Sequence, residues 1–415
     1  MFNLHLSAEQ LEIRNTVRDF VAREIKPAAL KPDRLEAREP PLLAALLDRA
    51  SQMGLRTLAL SGEVGGAGAD NLTCCIVTEE LAVGDPDIAA VLAQTSALGR
   101  LFERWMTPAQ RDRFLPQLLG DDRFHLALAE REPGSESALG ADYHRPAAIE
   151  AKIGTVAARS GDEWVINGAK HCVANAPLAK LFAVQAATSD AGGISTLLVP
   201  REAKGLSVRA QEGRWFHGTC GEVGFSDCRV PAENLLGAEG RSPLAGGLAA
   251  KGRGVPHFQA LNLGVGRAAY EAALDYARIR VQGGRPIIEH QAIGAKLAAI
   301  AIKLEVARAA VWRAAWASDH PDAIADGSLP DLPLQTIAEA FTAEAMLAAV
   351  RDAAECFGAT GVMRDMPLQK YVHDARVCLH SGDGITEAKL RLAEVLAGYR
   401  RPAAESSPTR AQAAG

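Results

Sequence analysis

The sequence predicts an α+β protein in which helices, a block of strands and further helices follow one another along the chain. Three observations predict it. Apolar residues recur at helical spacing over the first 125 residues, short β-type runs separated by Gly, Asp, Pro and Asn fill the stretch from about Leu126 to Gly237, and helical stripes return after Gly237. A chain of 415 residues has room for two or three domains, and its 48% apolar composition can fill a buried core. The expected boundaries are residues 1–125, 126–240 and 241–400, with 401–415 as a tail.

The elements follow in order. Ser7-x-x-Gln10 reads as a capping box, and Leu11, Val17, Phe20, Val21 and Ile25 continue a helical face. Glu63-Val-Gly-Gly-Ala-Gly-Ala-Asp70 is too rich in small, flexible residues for a helix and predicts a loop, with a helix resuming near Asn71. Trp164–Ile166, Leu181–Gln185, Ser195–Val199 and Glu222–Phe225 read as strands. Beyond them, Ile293, Leu297, Ile300 and Leu304 form one apolar stripe, and Ile337, Phe341, Ala345 and Ala348 a second. The last fifteen residues, Arg401 to Gly415, carry two prolines and no bulky apolar side chain, so they can bury little against ordering entropy and predict a mobile tail.

Charge and motifs narrow the function. A formal charge of −5 without long basic runs gives no electrostatic reason to bind nucleic acid or an anionic membrane surface. No uncharged run of about 18 apolar residues occurs, and Met1-Phe-Asn-Leu-His-Leu-Ser-Ala-Glu9 lacks a basic segment leading into an apolar core, so a cytoplasmic protein with a small ligand is expected. The seven cysteines (Cys74, Cys75, Cys172, Cys220, Cys228, Cys356 and Cys378) are odd in number and include no Cys-x-x-Cys, which predicts free thiols rather than a disulfide framework or a zinc site. His-Glu-x-x-His and Gly-x-Ser-x-Gly are absent, so no metal ligand set is expected. Gly264-Val-Gly-Arg-Ala-Ala269 matches a dinucleotide fingerprint in letters only. A true fingerprint follows a strand, whereas Gln259 to Arg280 reads as one helix, so these glycines are expected to serve close helix packing.

Ala127–Glu136, Gly161–Lys170 and Phe225–Gly237, taken in order, resemble segments of the acyl-CoA dehydrogenase family of flavoproteins. Ala127-Leu-Ala-Glu-Arg-Glu-Pro-Gly-Ser-Glu136 is similar to its Thr-Glu-Pro-x-Ala-Gly-Ser-Asp segment, and Gly161-Asp-Glu-Trp-Val-Ile-Asn-Gly-Ala-Lys170 to its Gly-Asp-x-Tyr-Val-Leu-Asn-Gly-x-Lys turn. Phe225-Ser-Asp-Cys-Arg-Val-Pro-Ala-Glu-Asn-Leu-Leu-Gly237 is similar to the run that leaves its sheet. Further on, Tyr276-Ala-x-x-Arg280, His290-Gln291 and Cys356-Phe-Gly-Ala-Thr-Gly361 resemble flavin-contacting segments. The resemblance covers roughly residues 5 to 400 and implies an N-terminal helical domain, a central β-sandwich or barrel, a C-terminal four-helix bundle, and FAD as cofactor. It implies cofactor contacts at Leu128, Ala129, Ser135, Cys172, Val173, Ala174, Arg280, Gln291, Glu355, Gly358, Gly361 and Glu387, and substrate contacts at Ser135, Arg253 and Gly384. Arg280 would meet the pyrophosphate, a good partner for a guanidinium. Gly358 and Gly361 would serve a flavin held mainly by another subunit, so a homodimer or homotetramer is expected, or an assembly with a paralogous subunit.

The family usually places Glu-Gly-Thr before its last helix, the Glu removing the α-proton of a CoA thioester while flavin N5 accepts the β-hydride. Here Asp383-Gly384-Ile385 occupies that place. Two roles are open to Asp383: the base, which either carboxylate can perform, or a helix N-cap. A carboxylate one methylene shorter must meet a closer substrate, since misplacement by about 1 Å costs on the order of 10²-fold in rate. The chain departs from the family around it. Lys251-Gly-Arg-Gly-Val-Pro-His257 holds no acid where branched-chain members keep their base, leaving Arg253 to buttress Asp383. Cys172-Val173-Ala174 replaces the flavin-facing Trp-Ile-Thr, Ala129 replaces a threonine, and an extra stretch containing Tyr143-His-Arg-Pro146 lies where substrate would enter.

The resemblance thus implies α,β-dehydrogenation of an acyl-CoA, with electron-transfer flavoprotein or another acceptor as partner, in fatty-acid or acyl-CoA catabolism. Two alternatives stand beside it. The altered Cys172–Ala174 segment suits a same-fold oxidase or monooxygenase of a non-CoA substrate, and the missing Glu suits a non-catalytic partner subunit of a heteromeric dehydrogenase.

Overall fold

The computed structural model describes residues 5–36, 40–133, 153–188, 193–212, 216–244, 257–320, 333–380 and 384–397. Helix α1 (Ala8–Phe20) opens on the expected capping box, with Ser7 Oγ taking the Gln10 N–H and the Gln10 side chain returning to the Ser7 N–H. It passes through a π-helical turn at Val21–Ile25 into α2 (Lys26–Ala29), followed by α3 (Pro32–Glu36) and α4 (Ala44–Gln52). The Gly-rich stretch contains only a short 3₁₀ turn, Gly62–Val64, and α5 (Asn71–Gly84) starts where the sequence places it, capped by Asp70. Helices α6 (Pro86–Trp105) and α7 (Pro108–Gly120) complete the first group.

The strands are β1 (His125–Ala129), β2 (Val156–Ser160), β3 (Glu163–Ala174), β4 (Ala179–Thr188), β5 (Gly193–Pro200), β6 (Leu206–Ala210), β7 (Cys220–Pro231) and β8 (Leu235–Leu236). Among the described residues they form one mixed sheet in the order β6-β7-β3-β2-β4-β5-β8, with β1 parallel to β4. β4 has both faces covered, which explains its unbroken apolar run. Leu181 and Ala183 meet Phe102, Phe114 and Leu118 of α6 and α7, whereas Phe182, Val184 and Ala186 join Trp164, Val173, Val199 and Phe225 in the core within the sheet.

Helices return as α8 (His257–Ile279), α9 (Gln291–Asp319), α10 (Leu334–Cys356), α11 (Leu368–Leu379) and α12 (Ile385–Leu396), with a small hairpin of β9 (Val281–Gln282) and β10 (Arg285–Pro286) between α8 and α9. One apolar cluster runs from Val17 and Ile25 through Leu81 and Leu92 to Leu263, Ile300, Met346 and Tyr371, so the first and last helices share a core.

Residues 264–269 lie inside α8, as the packing interpretation requires. A Cβ on Gly264 would stand 2.5 Å from Glu79 O of α5, and one on Gly266 would stand 2.3 Å from Met346 Sδ of α10. Arg267, next to Gly266, joins Glu79 and Glu80 of α5 in a buried ion network that Arg18 and Arg308 extend. Gly264→Val is therefore expected to lose about 2–3 kcal/mol, because a helix backbone must move to admit the side chain. At Gly294 a Cβ meets nothing closer than 3.6 Å, so Gly294→Ala is expected to gain up to about 1 kcal/mol from helix propensity. Urea midpoints of the two variants measure the contrast.

The α9 stripe is as expected, with Leu297, Ile300 and Leu304 buried, but the α10 stripe is not. The buried face of α10 is Ala338, Thr342, Met346, Ala349 and Ala353, while Phe341 is 40% exposed and Ile337 only half-buried. The interior face of α10 is mostly small residues, with Met346 and Val350 among them, and Phe341 is turned outward.

Candidate functional site

Two of the predicted cofactor residues, Leu128 and Ala129, end β1, and three more, Cys172, Val173 and Ala174, end β3. The two ends are tied together. Lys170 Nζ, fully buried, donates to Glu130 O at 3.1 Å and to Glu132 Oε1 at 2.8 Å, and His171 N–H donates to Arg131 O at 2.9 Å. Glu132 also accepts the N–H groups of Gly154 and Thr155. Burial alone would raise its pKa, but these donors hold the carboxyl below its usual range. The β3–β7 ladder slips between Lys170 and Val173, a bulge that puts Cys172 at φ 51°, and Asn175 follows at φ 64°. Asn175 Nδ2 anchors the turn by donating to Val91 O, Thr95 Oγ1 and Leu126 O. Non-glycine residues with positive φ persist where surroundings over-determine them, often at functional sites.

Five further predicted residues gather at one end of the helical bundle. Arg280 closes α8 and leads into the β9–β10 hairpin; its guanidinium is exposed and has no hydrogen-bond partner among the described residues. One turn earlier Tyr276 stacks on Phe357, with centroids 4.1 Å apart, which brings Gly358 and Gly361 beside the end of α8. Gly358 adopts φ 58° with open space where a side chain would stand. Gly361 differs, because a Cβ there would lie 2.7 Å from Ala354 O, so its own turn requires glycine. Gln291 begins α9, and Glu355 pairs with Lys296 one turn further along that helix. An exposed cation beside a turn with open backbone suits a diphosphate, so this end fits a dinucleotide.

The third part is the junction of α11 and α12. Gly384, at φ 84°, is the N-cap of α12, and Glu387 in its first turn pairs with Arg391 at 2.9 Å. Asp383, Ser135 and Arg253 lie outside the described residues, as do Tyr143–Pro146 and the predicted tail. Among the described residues no hydrogen bond joins the strand-end group to the bundle-end group. A pocket of about 340 Å³ between α7 and the ends of β4 and β5, lined by Arg113, Asp121, Lys180 and Glu202 among others, contains none of the predicted residues.

Sequence reading missed a buried polar cluster behind α11. His217, between β6 and β7, hydrogen-bonds Asp87 Oδ1 of α6 at 3.2 Å and Asp374 O of α11 at 3.1 Å, and Lys370 Nζ reaches Asp374 Oδ2 at 2.6 Å. Burial opposes charge on His217, yet Cys378, Asp87 and Asp374 raise its pKa well above the ordinary value. Helix α11 is thereby fixed to both α6 and the sheet, just before residues 381–383. A lone histidine carries no sequence signal for such a role.

Two other histidines titrate the opposite way. Burial lowers His125, beside Thr95, and His257, whose Nδ1 lies 3.2 Å from Ala93 O, to a pKa of about 4. The unfolded chain takes up these protons at about pH 6.5, so their contribution is present above that pH and is lost as pH falls towards 4, by up to roughly 3 kcal/mol each. Urea unfolding between pH 7 and pH 4.5 is expected to show this loss, and His125→Gln or His257→Gln is expected to flatten it.

Comparison with known proteins places this arrangement in context. The profile described as "Acyl-CoA dehydrogenase, N-terminal domain" matches residues 7–122, the middle-domain profile residues 132–228 and the C-terminal-domain profile residues 256–394. An acyl-CoA dehydrogenase of Bacillus subtilis is 30% identical over 381 residues, covering 90% of this chain and 94% of its own. The short-chain specific acyl-CoA dehydrogenase, mitochondrial, of Rattus norvegicus is 29% identical over 94% of this chain and 90% of its own. Among solved structures, butyryl-CoA dehydrogenase from Megasphaera elsdenii superposes with a TM-score of 0.80 at 24% identity, covering 95% of this chain and 100% of its own.

Proposed function

Because the chain belongs to the acyl-CoA dehydrogenase family, we propose that this oxidoreductase binds FAD and forms an α,β-double bond in an acyl-CoA thioester, with Asp383 as the base. The observation that carries the base assignment is the position of Gly384. The N-cap of α12 is Gly384 itself, so a capping role for Asp383 has lost its usual place, while the family's proton-abstracting position remains. The unpaired N–H groups that open any helix also favour a negatively polarised oxygen there. A thioester carbonyl held at such donors acidifies its α-proton, which a carboxylate then removes.

The remaining residues have positioning tasks. Arg280 and Gln291, with the turn of Gly358 and Gly361 and Glu355 beside it, hold the phosphate and adenine part of FAD. Leu128, Ala129, Ser135 and the bulged Cys172–Ala174 edge receive the ring, and Glu387 steadies the start of α12. When bound, FAD supplies the acceptor for the β-hydride. Arg253 orients the Asp383 carboxylate, and Ser135 and Gly384 orient the substrate. The described end of β3 offers no side-chain hydroxyl to the ring, since Cys172, Val173 and Ala174 stand there, which keeps a same-fold oxidase as the second reading.

The bundle surface supports the proposed assembly. Ile302 is 64% exposed and Val306 50% exposed at adjacent turns of α9, and Phe341 is 40% exposed on α10. Apolar side chains so placed support a homo-oligomer in which one protomer's bundle end serves its partner's flavin.

The test is a flavin spectrum of the purified protein followed by anaerobic addition of acyl-CoAs of different chain length and branching. Bleaching by a thioester supports the dehydrogenase. A bound flavin that ignores every thioester yet reoxidises rapidly in oxygen after chemical reduction favours the oxidase. Flavin absent until a paralogue is co-expressed favours the partner-subunit reading.

A further inference from the structure

The β3–β7 ladder brings two cysteines together on the surface of the sheet. Ala174 pairs with Cys220 and Val173 with Gly221, and the slip between Lys170 and Val173 sets His171 and Cys172 against Glu222. Val173 and Val223 point into the core within the sheet. Strand alternation therefore turns Cys172, Ala174 and Cys220 to the opposite face. Diagonal partners on a flat antiparallel pair are about 7–8 Å apart, but a bulge bends and twists its strand. Here the thiols stand close enough to perturb one another's ionisation. Cys172 is half-buried, whereas Cys220 is buried with its Sγ 3.7 Å from Gln211 Oε1.

The sequence predicts seven unpaired thiols, and the structure describes all seven as free. Five of them lie elsewhere: Cys74 and Cys75 are successive residues of α5, Cys228 is inside the sheet, and Cys356 and Cys378 belong to the bundle.

We propose that Cys172 and Cys220 are an oxidative modification site that closes reversibly into a cross-strand disulfide when the protein meets a hydroperoxide. Disulfide geometry needs Cα atoms within about 4.4–6.8 Å, a span that the bulged diagonal can reach with little strand movement. Cys172 is the more accessible thiol; burial raises its pKa, and the nearby Arg131 and Cys220 offset part of that rise. Its sulfur attacks one oxygen of hydrogen peroxide; the O–O bond breaks, leaving a sulfenic acid on Cys172 and hydroxide, which takes the thiol proton and leaves as water. Cys220 sulfur then attacks Cys172 sulfur; the S–O bond breaks and hydroxide departs with the Cys220 proton as a second water. Two thiols are oxidised by two electrons and one peroxide is reduced to two waters. The oxidation itself consumes no flavin.

The test treats the full-length protein with a small excess of hydrogen peroxide, blocks remaining thiols by alkylation and maps tryptic peptides without reduction. The expected product joins His171–Lys180 to Trp215–Arg229, lighter than the sum of the two peptides by two hydrogens, with two fewer alkylated cysteines and full reversal by dithiothreitol. Cys172→Ser and Cys220→Ser are each expected to abolish it in a chain whose circular dichroism shows that it still folds. Recovery of alkylated Cys220 after Cys172 has been driven to sulfinic acid overturns the proposal. So does a link that persists through Cys228 in Cys220→Ser.

Discussion

Asp383→Asn is expected to slow acyl-CoA-dependent flavin bleaching by about 10³-fold, within the range that a positioned general base contributes, while FAD content and melting temperature stay unchanged. The amide keeps the size and shape of the carboxylate but cannot accept the α-proton. Because Lys251–His257 contains no acid, no second carboxylate from that segment replaces it. Anaerobic stopped-flow with the best acyl-CoA measures the rate directly. Turnover retained in Asp383→Asn would remove Asp383 from the chemistry and return it to a structural role. Asp383→Glu is the informative companion: if the substrate sits closer to suit a shorter base, the longer side chain is expected to cost about 10²-fold rather than to improve the rate.

Lys370→Met is expected to have the largest effect on stability, about 3–5 kcal/mol, because it breaks a buried ion pair with Asp374. Asp374 loses an ion pair of 2.6 Å, and Asp85 and Asp87 lose a nearby positive charge. Burial, followed by the repulsion of Asp87, already raises the pKa of Asp85. A carboxyl whose folded pKa is raised binds protons more readily in the native state, so the deficit of Lys370→Met is expected to shrink as pH falls through that folded pKa. Urea midpoints at pH 7 and pH 5 test the sign, and a double variant with Asp374→Leu is expected to recover much of the loss. Since the same cluster fixes α11 ahead of residues 381–383, a partly stabilised variant should also react more slowly at saturating substrate.

Legibility from sequence followed the physics of each residue. The Ser7–Gln10 cap and the start at Asn71 were readable because capping is local chemistry. β4 was readable because both its faces are covered. β2 and β6 were not, since most of their residues are exposed or half-exposed and carry little apolar periodicity. The α10 stripe misled because bulk was taken as the mark of the interior, whereas α10 buries mostly small side chains together with Met346 and Val350 and leaves Phe341 exposed. The candidate site rests on resemblance: no periodicity links Arg280 to Gly358, whose helix end and turn the Tyr276–Phe357 stack brings side by side. His217 was invisible because its partners lie 130 and 157 positions away.

The shared core of the first and last helices has a consequence for synthesis. Leu81 and Ala82 of α5 bury against α8, whose buried residues run from Ala260 to Ala277. At ribosomal rates the N-terminal helices wait roughly 10–40 s for that partner to emerge. During the wait the apolar faces of α5 and α6 are open to solvent and the sheet is made between them. The nascent chain should therefore engage holdase chaperones until α8 and α10 arrive, and truncation before α8 should yield an aggregating fragment rather than a folded N-terminal unit.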